Sequence, residues 1–199
     1  ALLCALFVIW PYQRRVAAEI TSPVPLAPHN VPVAAVFLVD TSASLQYQYE
    51  GTSRLDDARR IALAHLQSLP AGSKVAVLDG AGELPALFTP DLSAVQNRLE
   101  SLSIQPAAPA LNERLRVASR LQEDDRRRTM SEQAGVAEAQ QQDKFVREVY
   151  LFTDLAKSAW RDDSTHLQKD ELAAVPWMGL YLIDVGVEKI GRASCRERV

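Results

Sequence analysis

Short unbroken apolar runs alternate along this chain with longer stretches of helical spacing. Val33–Val39 (VAAVFLV) is continuously apolar and stops at Asp40, which reads as a strand buried on both faces, as in a parallel sheet covered by helices. Ser53 can cap a helix on which Leu55, Ala58, Ile61, Ala62, Leu66 and Leu69 recur at helical spacing, until Pro70-Ala71-Gly72 ends it. Lys74–Leu78 (KVAVL) predicts a second strand with Ala86–Thr89 as a hairpin partner, and Asp91 opens a helix with Leu92, Val95, Leu99 and Leu102 on one face. Pro106 and Pro109 frame a loop before a helix from about Leu111, with Leu115, Ala118 and Leu121 facing inward.

Residues 122–144 are charged and Gln-rich without a sustained apolar stripe. There Arg126-Arg127-Arg128 stand beside Glu123, Asp124 and Asp125, which predicts a charged insertion or a solvated extension of the helix rather than a nucleic-acid patch. Val146–Phe152 and Met178–Ile183 are two further strand-type runs. Strand, helix, strand, helix, helix, strand, strand predicts an α/β fold: a doubly wound, mostly parallel sheet with helices on both faces.

The two ends change the domain boundaries. Ala1–Trp10 (ALLCALFVIW) is uncharged and apolar, and Pro11, Tyr12 and Arg14-Arg15 follow. A membrane helix needs about 20 apolar residues, so residues 1–12 read as the end of a transmembrane helix that begins upstream, with Trp10 and Tyr12 at the interface. A signal-peptide core or a buried strand would read similarly. Residues 13–32 contain Pro23, Pro25, Pro28 and Pro32 and form a spacer. Ile190–Val199 (IGRASCRERV) matches the translation of a short-read sequencing adapter that begins at Lys189, so residues 189–199 are set aside as a non-native tail. The domain proper is expected at 33–188, its sheet incomplete at the C-terminus and Leu180–Ile183 left as an edge.

With 47% hydrophobic and 24% charged residues in 199, the composition is that of one folded domain and excludes collagen-like, disulfide-scaffold and wholly disordered chains. Cys4 and Cys195 have neither zinc spacing nor a disulfide framework. The formal charge of −3 becomes −6 without the tail, which holds four basic residues and one acidic one. The natural part is acidic and has no general attraction for nucleic acid.

Two carboxylates close strands: Asp40 in Val39-Asp40-Thr41-Ser42-Ala43-Ser44, and Asp154 in Leu151-Phe152-Thr153-Asp154. In open α/β sheets, ligands bind beyond such carboxyl ends. The Asp-x-Ser-x-Ser motif after a buried strand, with Asp154 after a later one, resembles the von Willebrand factor type A (VWA) domain. With the apolar N-terminus and its Trp-Pro-Tyr exit, the layout resembles the Bat-type, aerotolerance-related membrane VWA proteins of bacteria. The resemblance implies a metal-ion-dependent adhesion site in which Asp40, Ser42, Ser44 and Asp154 hold Mg²⁺. It also implies a non-enzymatic adhesion or assembly module of a cell-membrane protein, its domain outside the bilayer on the periplasmic side. A protein partner would complete the metal site with an acidic side chain. The family's second-loop Thr is absent, since Pro109 or Ala110 stands there, so Mg²⁺ is expected to bind weakly, with a dissociation constant of about a millimolar or poorer.

Two other readings use the same residues. Asp40-Thr41-Ser42 is similar to the loop of aspartic proteases, which need a second such aspartate on an all-β scaffold. A VWA domain that binds no metal is the other, with Asp40, Ser42 and Asp154 serving as caps. His65 reads as a boundary residue of its helix, Asp56-Asp57 as first-turn carboxylates favoured by the helix dipole, and Trp160 and Trp177 as core or edge aromatics.

Overall fold

The computed structural model describes residues 31–79, 86–105, 107, 109–132, 142–161 and 175–186. The expected membrane segment, the spacer up to residue 30, residues 133–141 of the charged stretch and the tail at 189–199 lie outside the described residues.

In chain order the elements are β1 (Val33–Val39), a 3-10 turn (Ala43–Gln46), the short pair β2 (Gln48–Tyr49) and β3 (Thr52–Ser53), α1 (Arg54–Ser68), β4 (Lys74–Leu78), α2 (Leu92–Glu100), α3 (Leu111–Ser131), β5 (Val146–Thr153), a second 3-10 turn (Lys157–Ala159) and β6 (Met178–Asp184). Four strands form one sheet in the order β4-β1-β5-β6, all neighbours parallel. From β1 the chain steps sideways to β4 and then crosses back over β1 to reach β5. The direction of winding therefore reverses between β1 and β5, and that crevice is where an α/β sheet offers a site.

Every residue of β1 is buried. Its alternate side chains serve two layers, because successive residues of a strand face opposite sides. Val36 and Leu38, with Ala76, Val149 and Leu151, pack against Leu111, Leu115 and Ala118 of α3. On the other side Phe37 meets Tyr150 and Phe152 edge-on at 5.5 Å, and His65 of α1 lies 5.3 Å from the Tyr150 ring. Burial lowers the His65 pKa below its ordinary value. Burial and the adjacent Glu148 raise that of Tyr150, whose hydroxyl donates to Glu148 Oε2 at 2.6 Å.

Caps fix where the helices begin. Ser53 and Asp56 form a reciprocal capping box at the start of α1, and Asp91 accepts from the amides of Ser93 and Ala94 at the start of α2. The expected hairpin partner of β4 is reduced to a single antiparallel bridge, Val75 with Thr89. A larger departure concerns the charged stretch. Residues 122–131 continue α3, and only part of that helix surface is solvated: the Arg127 side chain is 73% exposed, but Gln122 and Thr129 are buried. Gln122 Nε2 donates to the carbonyls of Ala34 and Glu148, both at 2.8 Å. Asp125 binds Arg147 and, at 2.8 Å, Lys74. β4 and β5 bring Lys74 and Arg147 to this end of the sheet, so the covering helix face is polar as well, and an apolar stripe was the wrong signal of burial.

The Arg147 side chain, 1% exposed, is shared by Asp125 and Asp143. Removing it takes the common partner from both carboxylates, so Arg147→Ala should cost about 3 kcal/mol in urea denaturation, and Asp125→Ala, which leaves Arg147 its bonds to Asp143, should cost less. For His65, the folded state binds the proton less readily than the unfolded chain does. The neutral imidazole's contribution is complete above the ordinary value of 6.5 and is lost as pH falls through the window below it. The melting-temperature advantage of wild type over His65→Gln should therefore shrink between about pH 7 and about pH 5, an effect that differential scanning fluorimetry can follow.

Candidate functional site

All four strands reach the same end of the sheet with an aspartate. Asp79 follows Leu78 of β4, Asp40 follows Val39 of β1, Asp154 follows Thr153 of β5, and Asp184 is the last residue of β6. The registers Leu38 with Leu78, Val39 with Phe152, and Thr153 with Asp184 place these carboxylates within about one residue of a common level.

The structure brings Asp40, Ser42, Ser44 and Asp154 together. Asp40 is buried, with Oδ1 accepting the Ser42 amide at 2.9 Å and Oδ2 accepting the Thr153 hydroxyl at 2.9 Å. Its own amide extends the β1–β5 ladder to the Phe152 carbonyl. The Ser42 and Ser44 hydroxyls are 3.0 Å apart, and Ser44 Oγ donates to Asp154 Oδ1 at 3.1 Å. Asp154 Oδ1 also accepts the Ala156 amide, while Leu155, at φ 57, turns its amide back to Thr153 Oγ1 at 3.2 Å. A branched residue in the left-handed region is uncommon; here it bends the third loop around the Asp154 carboxylate. The second loop contributes differently. The Gln105 amide donates to the Thr41 carbonyl at 2.7 Å, and α3 begins at Ala110 with no side-chain cap.

Three arginines at this rim were not singled out in the sequence. Arg54, the first residue of α1, donates from Nη1 to Asp154 Oδ2 at 2.5 Å and lies 4.8 Å over the Tyr47 ring. Arg98 of α2 pairs with Asp79 at 2.5 Å. Arg114 of α3 is 5% exposed. Its Nη2 donates to the Val39 and Leu78 carbonyls, and its Nε and Nη1 have no hydrogen-bond partner. Burial lowers the Arg114 pKa, and the charges of Asp40 and Asp79 oppose that shift. A signal for Arg114 was present. Leu111, Arg114, Leu115, Ala118 and Gln122 form one helical stripe, and both polar members of it are buried.

Mg²⁺ takes about six oxygen ligands in near-octahedral geometry, and the hard-oxygen set expected for it is assembled here. The arrangement nevertheless does not fit a divalent ion as it stands. Each carboxylate oxygen of Asp40 and Asp154 already accepts a hydrogen bond, a guanidinium rests on Asp154, another feels Asp40, and Ala110 supplies no side-chain oxygen.

Residues 35–156 match the sequence profile of the von Willebrand factor type A domain. The chain belongs to the VWA family. Among solved structures, the VWA fold of this chain is similar to that of BatB from Bacteroides thetaiotaomicron, at 21% identity and a TM-score of 0.54 over 75% of this chain and 65% of that one. An aerotolerance-related membrane protein from Bacteroides fragilis NCTC 9343 gives 19% identity and a TM-score of 0.54 over 75% of this chain and 66% of that one. Proximal thread matrix protein 1 from the mussel byssus gives 14% identity and 0.51 over 77% and 38%. The chain thus spans just under two thirds of the two Bacteroides proteins it resembles. No curated protein matches it.

Thr153 links the two carboxylate loops of this VWA domain. Thr153→Val keeps the shape but strands Asp40 Oδ2 in a buried position, and the expected loss is about 2 kcal/mol in chemical denaturation.

Proposed function

We propose that this chain is a protein-interaction module, for adhesion or assembly, of a membrane-anchored Bat-type protein, and that it binds its partner at the carboxyl rim of the sheet without catalysing a reaction. The observation that carries the reading is the convergence of the Asp40-x-Ser42-x-Ser44 loop with Asp154 at the point where the winding reverses. Around that cluster stand large side chains that the fold leaves exposed: Tyr47 at 55%, Tyr49 at 43% and Leu155 at 42%. Tyr47 and Leu155 are tied to the site itself, one beneath Arg54 and the other bonded to Thr153. A strained, exposed residue at a loop that holds a buried carboxylate is the kind of feature that binding sites retain. The partner presents an acidic side chain towards Arg54, whose side chain is 25% exposed, and an apolar surface to the tyrosines.

Membrane anchoring rests on the apolar Ala1–Trp10 segment and on the membrane protein of Bacteroides fragilis among the similar folds. Among the described residues no helix is long and apolar enough to cross a membrane. We propose that the domain lies outside the bilayer on the periplasmic side, a reading supported by its likeness to Bat-type proteins.

Photo-crosslinking in membranes tests the site. A crosslinker at Tyr47 or Leu155 should yield a discrete protein adduct that Asp154→Ala abolishes, whereas one at Lys144, beside the opposite end of β5, should not. Equal adducts from both ends would contradict the rim as the binding surface. An acid-optimum proteolysis lost in Asp40→Ala would instead show a hydrolase.

A further inference from the structure

Three of the four rim aspartates face an arginine, and the three arginines come from three different helices. Asp154 meets Arg54 of α1, Asp79 meets Arg98 of α2, and Asp40 lies in the field of Arg114 of α3. The Asp154 side chain is wholly buried and that of Arg54 is 25% exposed, so the carboxylate depends on Arg54 for a cationic partner while the guanidinium still reaches solvent. Adding a divalent cation to Asp40 and Asp154 while Arg54 and Arg114 remain would set four positive charges against these two carboxylates in a partly buried crevice. Repulsion between close like charges in such surroundings runs to several kcal/mol.

We infer that Arg54 is the resident counter-ion of this site: its guanidinium takes the place of a metal at Asp154, the rim works without Mg²⁺, and removing Arg54 exposes a latent divalent-cation site made by Asp40, Ser42, Ser44 and Asp154. Arg54 sits in the first turn of α1, where the helix dipole disfavours a cation, so the helix itself does not account for the guanidinium's position. Asp154 and the Tyr47 ring hold it there against that dipole. The inference deepens the proposed partner site, and a titration with the metal alone reads it without any partner, so either can fail while the other stands.

The test is MgCl₂ titration of the full chain in detergent micelles, followed by thermal unfolding and by calorimetry. Wild type should show no Mg²⁺-dependent shift in melting temperature. Arg54→Gln, which keeps a hydrogen-bond donor near Asp154, should gain one and bind Mg²⁺ at least about tenfold more tightly than wild type. Arg54→Lys should behave as wild type, and Asp40→Asn placed in the Arg54→Gln background should abolish the gain. Mg²⁺ binding by wild type that Asp40→Asn removes would overturn the inference, as would a folded Arg54→Gln that binds no better than wild type. If Arg54→Gln does not fold, the wild-type titration decides: silence supports the inference and an Asp40-dependent shift defeats it.

Discussion

Covering β1 on both faces forces the polar groups of the sheet to its two ends. Phe37 and Leu38 can alternate between two dry layers only if no charge lies between them, and so β4, β1 and β5 carry an aspartate just past their last residue and β6 carries Asp184 as its last. The consequences differ at the two ends. At the strand starts Arg147, Asp125, Lys74 and Gln122 form a closed polar network under α3. At the strand ends the aspartates gather beside the crevice where the winding reverses, and helices supply the opposing arginines.

The same constraint explains what could be read from the sequence. A five- to seven-residue apolar run between turn signals is too short for most helices and reads as a buried strand, so Val33–Val39 and Lys74–Leu78 are strands over the same residues in pattern and structure. Ser53 and Asp91 act locally, within three residues of the amides they cap, and are legible for that reason. Asp40 and Asp154 could be paired because strand ends are coplanar whatever the loops do. Arg54 and Arg114 escaped because their roles depend on partners far along the chain, Asp154 in one case and the Val39 and Leu78 carbonyls in the other. An arginine on an otherwise apolar helical stripe is ordinarily read as its edge. The polarity of residues 122–131 misled in the opposite direction, since a buried network looks like a solvated one until its partners on β5 are known.

Membership of the VWA family gives this rim its meaning, and its own residues qualify it. The first and third loops bring the oxygens of Asp40, Ser42, Ser44 and Asp154 together, the second loop ends in Ala110 without a side-chain cap, and a guanidinium rests on Asp154. An adhesive surface does not require a metal. It needs a fixed charge pattern and apolar side chains that the fold has not already covered, and Tyr47, Tyr49 and Leu155 are exposed in this way.

The central claim is that the strand-end carboxylates and the helix-borne arginines form coupled pairs. A double-mutant cycle on Asp154→Asn and Arg54→Gln, read by urea denaturation, tests it most directly. Direct coupling predicts an interaction energy of about 1 kcal/mol or more, falling little with added salt because the Asp154 carboxylate is buried. Additive losses would contradict the account, because they would mean that the two groups do not sense each other.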